Sequence, residues 1–534
     1  MKKKHIERNK DSIACSGYKR AAAAMVAACF LMSGCSSSES NDKTEGNTPA
    51  ATTEAAFTSE LVVSVEAEDG SFTGSAKKET SVSGYSGSGY AGGLSKDGDA
   101  ISLTFNIEKE GFHDLKFTCS TTGGFKSNYV FVDGESIGTI DLDSSAFTEV
   151  TIPHVWMENG EHEVKIEKYW GFLNVDKLDV MTGAPFDTSI YNVSPSLIDK
   201  KASDNARRLY KFLVDNYGKN VISGQYSEEG AFGREMAAIK KETAGTGSSL
   251  GEGGKLPAMV GLDMSYYSPT SVENGGTGTS IEKAINAWEN NTIVTMCWHW
   301  TAPSEYLKGT WYSSFYKEHT SIDLDKIMNG QDDKGYQLLV RDMDAIATEL
   351  AKLRDKDVPV LWRPLHEASG GWFWWGNCSA ESYIKLYRLM YDKFTNEYEL
   401  HNLIWVWNGQ SPLWYPGDDV CDIVGTDIYP GEHVYTSQYP KFIETADIPS
   451  YRKIVTLSEN GCLFDPDLAV RDGAMWSYFG VWSGDFVTGQ GTIITYNEQY
   501  TDSEMLKKVY NHENVITRDE LPVLTEYEMA PLAE

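Results

Sequence analysis

Basic charge is scarce in these 534 residues: 47 Lys and Arg stand against 77 Asp and Glu, a formal net charge of −30. Such a surface repels phosphate backbones and anionic lipid headgroups, which argues against nucleic acid as a partner. Cysteine is sparse too. The eight fall at 15, 29, 35, 119, 297, 378, 421 and 462, and no two form a CxxC or another zinc spacing. A thiolate metal site is therefore not expected, and no disulfide pairing follows from the sequence. The apolar run at 21–32 is too short to span a bilayer. No Gly-rich phosphate loop follows the first strand of the C-terminal region, which disfavours a nucleotide site. What the chain has in excess is aromatic: 12% of residues, with 15 Trp and 29 Tyr, flat rings with a polar edge suited to stacking on sugar faces. At 41% hydrophobic the chain buries a real core, and its length predicts two to four domains.

Lys2, Lys3, Lys4, Arg8, Lys10, Lys19 and Arg20 precede the apolar run, the pattern of an export signal. The run ends in Leu31-Met32-Ser33-Gly34-Cys35, which resembles a bacterial lipobox. Cleavage before a lipidated Cys35 is expected, giving a 1–35 signal and a 36–56 tether of Ser, Thr, Glu, Asn and Ala with little to bury. The expected location is the bacterial cell envelope or surface, with the lipid as the only membrane contact.

Between 57 and 182, short β-rich runs at 61–65, 101–107, 113–118, 129–132, 163–166 and 176–181 alternate with Gly-rich turns, and no long helical period intervenes. This predicts a small β-sandwich. Its Val65-Glu66-Ala67-Glu68-Asp69-Gly70, Gly84-Tyr85-Ser86-Gly87-Ser88-Gly89-Tyr90, Tyr129-Val130-Phe131-Val132-Asp133-Gly134 and Trp170-Gly171-Phe172-Leu173-Asn174-Val175-Asp176 together resemble carbohydrate-binding modules of family 35 and the related family 6, jelly-roll folds. The resemblance implies a structural calcium held by Glu66, Glu68 and Asp176, completed by carbonyls or water. It also implies sugar contacts from Trp170 and Asn174.

From 183 to 534, strand-like runs at 221–223, 258–262, 293–297, 358–362, 403–407, 423–426, 454–457 and 475–481 alternate with helix-period segments at 205–217, 234–241, 281–288, 338–353 and 383–394. Eight such strands predict a (β/α)8 TIM barrel in an α/β chain, a doubly wound sheet being the alternative. Barrel chemistry sits where strands end. There the sequence reads Cys297-Trp298-His299-Trp300, Trp362-Arg363-Pro364-Leu365-His366-Glu367, Gly425-Thr426-Asp427-Ile428-Tyr429-Pro430, Leu457-Ser458-Glu459-Asn460 and Val481-Trp482. Polar and aromatic residues at one end of so many strands predict a sugar-binding cleft. Glu367 and Glu459 are the candidate pair: a retaining glycosidase sets an acid and a nucleophile about 5–5.5 Å apart.

The string Arg363-Pro364-Leu365-His366-Glu367 with Trp372-Phe373-Trp374-Trp375-Gly376 resembles glycoside hydrolase family 26, whose commonest activity is endo-β-1,4-mannanase. The resemblance implies Glu367 as acid/base and Glu459 as nucleophile, with His299 and His366 on the sugar beside the scissile bond. It sets Trp372 on the leaving-group side, Tyr429 as hydrogen-bond partner of the nucleophile and Trp482 beneath the sugar before the cut. Arg363 and Asp427 complete the substrate-binding set. The expected enzyme is a monomeric, cofactor-independent mannanase acting on mannan, galactomannan or glucomannan. Mixed-linkage β-glucan, β-1,3-xylan and exo action stay open, as does a surface glycan-binding lipoprotein without catalysis.

Overall fold

A computed structural model describes residues 57–244, 252–489 and 494–533. The signal, Cys35 and the 36–56 tether lie outside the described residues.

The N-terminal strands are β1 (Leu61–Glu66), β2 (Ser71–Thr73), β3 (Lys77–Glu79), β4 (Tyr90–Gly92), β5 (Ala100–Ile107) and β6 (Gly111–Thr121). They continue with β7 (Lys126–Val132), β8 (Glu135–Leu142), β9 (Thr148–Met157), β10 (Gly160–Trp170) and β11 (Leu173–Thr182). They form two antiparallel sheets, one ordered β3-β4-β11-β6-β9 with β1 also on β11, the other β2-β5-β10-β7-β8. Alternate residues turn inward, so Leu103, Phe117, Val130, Val164, Ile166, Leu178 and Val180 bury completely between the sheets.

In the C-terminal region β12 (Val221–Ile222) is followed by β13 (Gly224–Tyr226), β14 (Met259–Asp263), β15 (Ile293–Cys297), β16 (Val360–Arg363) and β17 (Leu403–Trp407). Then come β18 (Ile423–Ile428), β19 (Ile454–Asn460), β20 (Phe479–Val481) and β21 (Val515–Ile516). Strands β13 to β20 close into a parallel barrel. The expected first barrel strand at 221–223 is corrected: Val221–Ile222 pairs with Val515–Ile516 outside the barrel, and the barrel begins at Gly224. A Cβ at Gly224 would overlap the Phe479 carbonyl and Met259, and the Gln225 amide is spent on the carbonyls of Tyr226 and Val481. That strand carries no apolar run because its close packing and hydrogen bonds require other residues. The expected helices are present, three of them longer and two shifted toward the N-terminus, with N-caps where small polar side chains accept from the first turn: Ser203 from Ala206, Asp332 from Gly335, Ser379 from Ser382.

Much of the aromatic excess is core. Trp298, Trp300, Trp362, Trp374, Trp375, Trp405, Trp407 and Trp476 are fully buried. The five described cysteines are unpaired, and four of them are buried.

Sandwich and barrel meet through a β-bulge. In β9, Pro153 and His154 together stand opposite Asp114 of β6, and His154 takes φ +61° with its N–H bonded to Asp114. The bulge turns the imidazole outward, where it stacks between Phe112 (centroids 3.7 Å) and barrel residue Tyr439 (4.1 Å), with Nε2 2.9 Å from the Asp472 carbonyl. Burial, opposed by that carbonyl, holds the His154 pKa below the ordinary imidazole value. Arg471 caps the contact over the Trp156 ring.

Candidate active site

Strand β16 ends in Arg363, and the guanidinium is the hub of the barrel mouth. It donates to Asp427 Oδ2 (2.8 Å), Glu459 Oε2 (2.5 Å), Asn408 Oδ1 (3.2 Å) and the Tyr226 hydroxyl (3.2 Å), with no solvent exposure. A bulge at Ser458 of β19 sets Glu459, rather than Ser458, opposite Asp427 of β18. Such a buried cation persists only when paired on several sides.

The chain then bends sharply. Leu365 (φ +50°) and Glu367 (φ +53°) both take left-handed backbone, uncommon for such residues and held here by surrounding bonds. Tyr383 donates to the Leu365 carbonyl, Trp375 to the His366 carbonyl, and the Glu367 N–H to the Asn408 carbonyl. The Glu367 side chain accepts from the Trp372 indole N–H at 2.9 Å. Tyr429 donates its hydroxyl to Glu459 Oε1.

Oxygens of Glu367, Asp427 and Glu459 lie within 4.8 Å of one another. That closeness suits a nucleophile and an acid acting on one bond. Three carboxylates share one guanidinium, and two of them are bonded to it. Glu367 is the third. Burial, then the charges of Asp427 and Glu459, push its pKa well above the usual carboxylate range. Burial also raises Asp427, against the pull of Arg363. Of the two, Glu367 is the one that holds a proton, since it alone lacks a cationic partner.

The other expected contacts gather around this group. His299 donates Nδ1–H to Asp263 Oδ2 at 2.6 Å, and its ring stands edge-on to His366 (4.7 Å), Phe373 (5.5 Å) and Trp482 (5.7 Å). Burial would raise the Asp263 carboxyl, but the charge and hydrogen bonds of His299 outweigh it and the pKa is lowered. His366 is buried with Nδ1 unpartnered, and burial, then Arg363 and His299, hold its pKa well below the ordinary value, so the ring is neutral. Trp482 packs on Tyr226 at 4.9 Å, whereas the neighbouring Trp476 is buried with its N–H on the Ser437 carbonyl. Sequence reasoning missed Tyr226, Asp263 and Asn408. Asp263 and Asn408 carry the signal used for the others, a polar residue at the end of an apolar strand; Tyr226 lay hidden with the misplaced first strand.

In the sandwich, Glu66, Glu68 and Asp176 converge on the loop at 86–88. The Ser86 hydroxyl contacts Glu66 and Asp176, and the Ser86 and Ser88 N–H groups bond Asp176 and Glu68 at 2.7 Å. Glu68 Oε2 is buried without a partner, and a Cβ on Gly87 would fall 2.6 Å from Glu68 Oε1 and 2.9 Å from Glu66 Oε2. These are the hard oxygens that calcium takes, but only Glu68 Oε2 lacks a partner; the other oxygens of the three are bonded to Ser86 and Ser88, and the three do not form a cluster within 4.8 Å as the barrel carboxylates do. Trp170 is 65% exposed. Asn174, the other expected sugar contact, is buried, with its amide donated to the Ser120 hydroxyl.

The family model "Glycosyl hydrolase family 26" matches residues 198–520, and "Carbohydrate binding module (family 35)" matches 63–183. A mannan endo-1,4-beta-mannosidase of Thermothelomyces thermophilus is 35% identical over 500 residues, covering 92% of this chain and 97% of the relative. Mannan endo-1,4-beta-mannosidase B of a Piromyces species is 32% identical, covering 86% and 77%. Among solved structures, the Podospora anserina GH26-CBM35 β-(1,4)-mannanase superposes with TM-score 0.61 at 32% identity, covering 87% of this chain and 99% of its own. A ruminal GH26 endo-β-1,4-mannanase gives 0.64 at 27%, covering 86% and 98%.

Proposed function

This chain belongs to glycosyl hydrolase family 26, and on that premise we propose that it is an endo-acting, retaining β-mannanase that cleaves β-1,4-mannosidic bonds by double displacement. The observation that carries the reading is the sharing of one guanidinium by three carboxylates, which leaves Glu367 as the proton holder beside Glu459. Glu459 attacks the anomeric carbon while Glu367 gives its proton to the departing oxygen. Glu367, now ionised, takes a proton from water, whose oxygen displaces Glu459 and restores the β configuration. Arg363 and Tyr429 donate to the two oxygens of Glu459 and hold the carboxylate in line. Asp427 balances Arg363, while His299, His366 and Trp482 contact the sugar before the cut. Trp372 fixes Glu367 and faces the leaving sugar.

In the sandwich, Glu66, Glu68 and Asp176 would hold a structural calcium beside the 86–88 loop, whose N–H groups already bond Asp176 and Glu68, and exposed Trp170 offers a ring to glycan. The signal-like 1–35 segment, ending in Ser33-Gly34-Cys35, supports an exported lipoprotein anchored through Cys35. Reducing-sugar release from mannan, mixed-linkage glucan and β-1,3-xylan, assayed side by side, tests the substrate. Mannan is expected to be cut fastest, with oligosaccharides rather than single sugars as early products; preference for another polymer would overturn the assignment.

A further inference from the structure

The two imidazoles at the barrel mouth are held in different ways. His366 has a buried Nδ1 that nothing in the protein satisfies. His299 has the opposite arrangement: Nδ1 lies 2.6 Å from Asp263 Oδ2, and Nε2 makes no hydrogen bond among the described residues.

Asp263 is the last residue of β14 and pairs in register with Cys297, the last residue of β15, so its carboxylate reaches the residue two further on, His299. Its two oxygens have separate tasks. Oδ1 accepts the backbone N–H groups of Ser265 (2.8 Å) and His299 (3.1 Å), which leaves Oδ2 for the imidazole. The backbone beneath is fixed as well, since the Ser280 hydroxyl donates to the Asp263 carbonyl at 2.6 Å and the Met264 N–H to the Cys297 carbonyl at 3.0 Å. An ionised carboxylate can only accept, so the proton between the two side chains belongs to Nδ1. In a neutral ring the lone pair is then on Nε2. Cys297 Sγ, at 4.0 Å from Nδ1, is too distant to compete.

We propose that Asp263 is a positioning residue that sets the tautomer of His299, so that Nε2 meets the mannosyl residue before the cut as a hydrogen-bond acceptor and takes a sugar hydroxyl as its donor. The inference rests on the mannanase reading and gives one of its sugar contacts a polarity. It also singles out one substitution. In Asp263→Asn the two backbone N–H groups keep the amide oxygen in the place of Oδ1, which turns the amide nitrogen toward the imidazole. Nδ1 must then accept, the ring proton moves to Nε2, and a donor faces the sugar in place of an acceptor.

The test uses the full chain labelled with 15N at histidine, its His299 signals identified by their loss in His299→Gln. At pH 7 the unmodified protein should show His299 as the neutral Nδ1–H tautomer; the Nε2–H tautomer or an imidazolium there overturns the proposal without recourse to any variant at Asp263. Asp263→Asn should move the signal to the Nε2–H form and lower kcat/KM on linear mannohexaose by about tenfold to a hundredfold. Asp263→Ala, which frees the ring to sample both tautomers, should lose less. An alanine variant as impaired as the asparagine one, or more so, would mark a packing role and overturn the proposal. An unmodified chain that leaves mannohexaose intact overturns the mannanase reading instead, whatever tautomer His299 holds.

Discussion

Arg363 Nη2 lies 2.5 Å from Glu459 Oε2, and neither side chain is more than 7% exposed. With the guanidinium committed to Glu459 and Asp427, the two catalytic candidates differ in their surroundings. Glu367→Ala is therefore expected to lose most activity on polysaccharide, where the leaving sugar needs a proton, yet to form the glycosyl-enzyme from an aryl glycoside whose leaving group departs unaided. Glu459→Ala should be inactive on both. Azide added to Glu367→Ala should give the β-glycosyl azide, and added to Glu459→Ala the α-anomer, as read by NMR. Initial α-configured product from the unmodified enzyme would mean inversion and would sink the mechanism.

The pH profile should bear the mark of Asp427. Glu367 works as an acid only while protonated, so activity falls as pH rises through its elevated pKa. After burial, the Asp427 charge is the next cause of that elevation. Asp427→Asn is expected to move the alkaline limb of kcat/KM to lower pH. An unmoved limb would show that Asp427 does not set the proton affinity of Glu367.

Stability should move the other way from activity at Glu367. The unfolded chain releases this proton near the ordinary carboxylate value, about 4.3, whereas the folded chain keeps it to higher pH. The folded state thus binds the extra proton, and the contribution to stability is lost as pH rises from the unfolded value through the folded one. Glu367→Gln, neutral at every pH, is expected to raise Tm at pH 7 by about 2–4 °C and to give no gain below pH 4. Calorimetry at the two pH values decides it, and equal shifts at both would place the effect elsewhere.

Chelation with EDTA is expected to lower the melting temperature of the calcium-loaded chain, with recovery on adding calcium but not magnesium, whose smaller octahedral demand suits three carboxylates and a loop poorly. Glu68→Gln should abolish the calcium response, since its Oε2 is the buried oxygen that no protein group satisfies. A chain indifferent to EDTA would remove Glu66, Glu68 and Asp176 as ligands.

The barrel was legible because most of its strands are apolar runs and its chemistry follows them; Arg363, Glu367, Asp427 and Glu459 all sit at or just past such a run. The first strand was not, since Gly224 and Gln225 answer to packing and barrel hydrogen bonds. In the sandwich β9 escaped for a related reason. Its buried positions run Ile152, Val155, Met157, so the bulge at Pro153-His154 shifts the parity midway and hides the two-residue period. The tryptophan content was read as sugar-binding surface, but Trp298, Trp300, Trp374 and Trp375 instead brace the loops behind His299 and Glu367. Composition cannot distinguish a ring that touches substrate from one that fixes the residue that does. The closeness of the three carboxylates comes from strand pairing and the bulge at Ser458, which no local spacing encodes.

The imidazole held between Phe112 and Tyr439 makes the joint between sandwich and barrel a stiff one. Two glycan-binding parts on a loose tether would search for a polymer independently, each raising the other's local concentration by an amount set by tether length. A stacked ring seated on a bulge removes that search. With Trp170 as the proposed glycan contact, its span to the cleft would be fixed, and a polysaccharide would gain from both contacts only where its own stiffness and branch spacing match that span. A wedge of this kind at His154 would sort stretches of one polymer by their shape, independently of which sugar lies over Glu459.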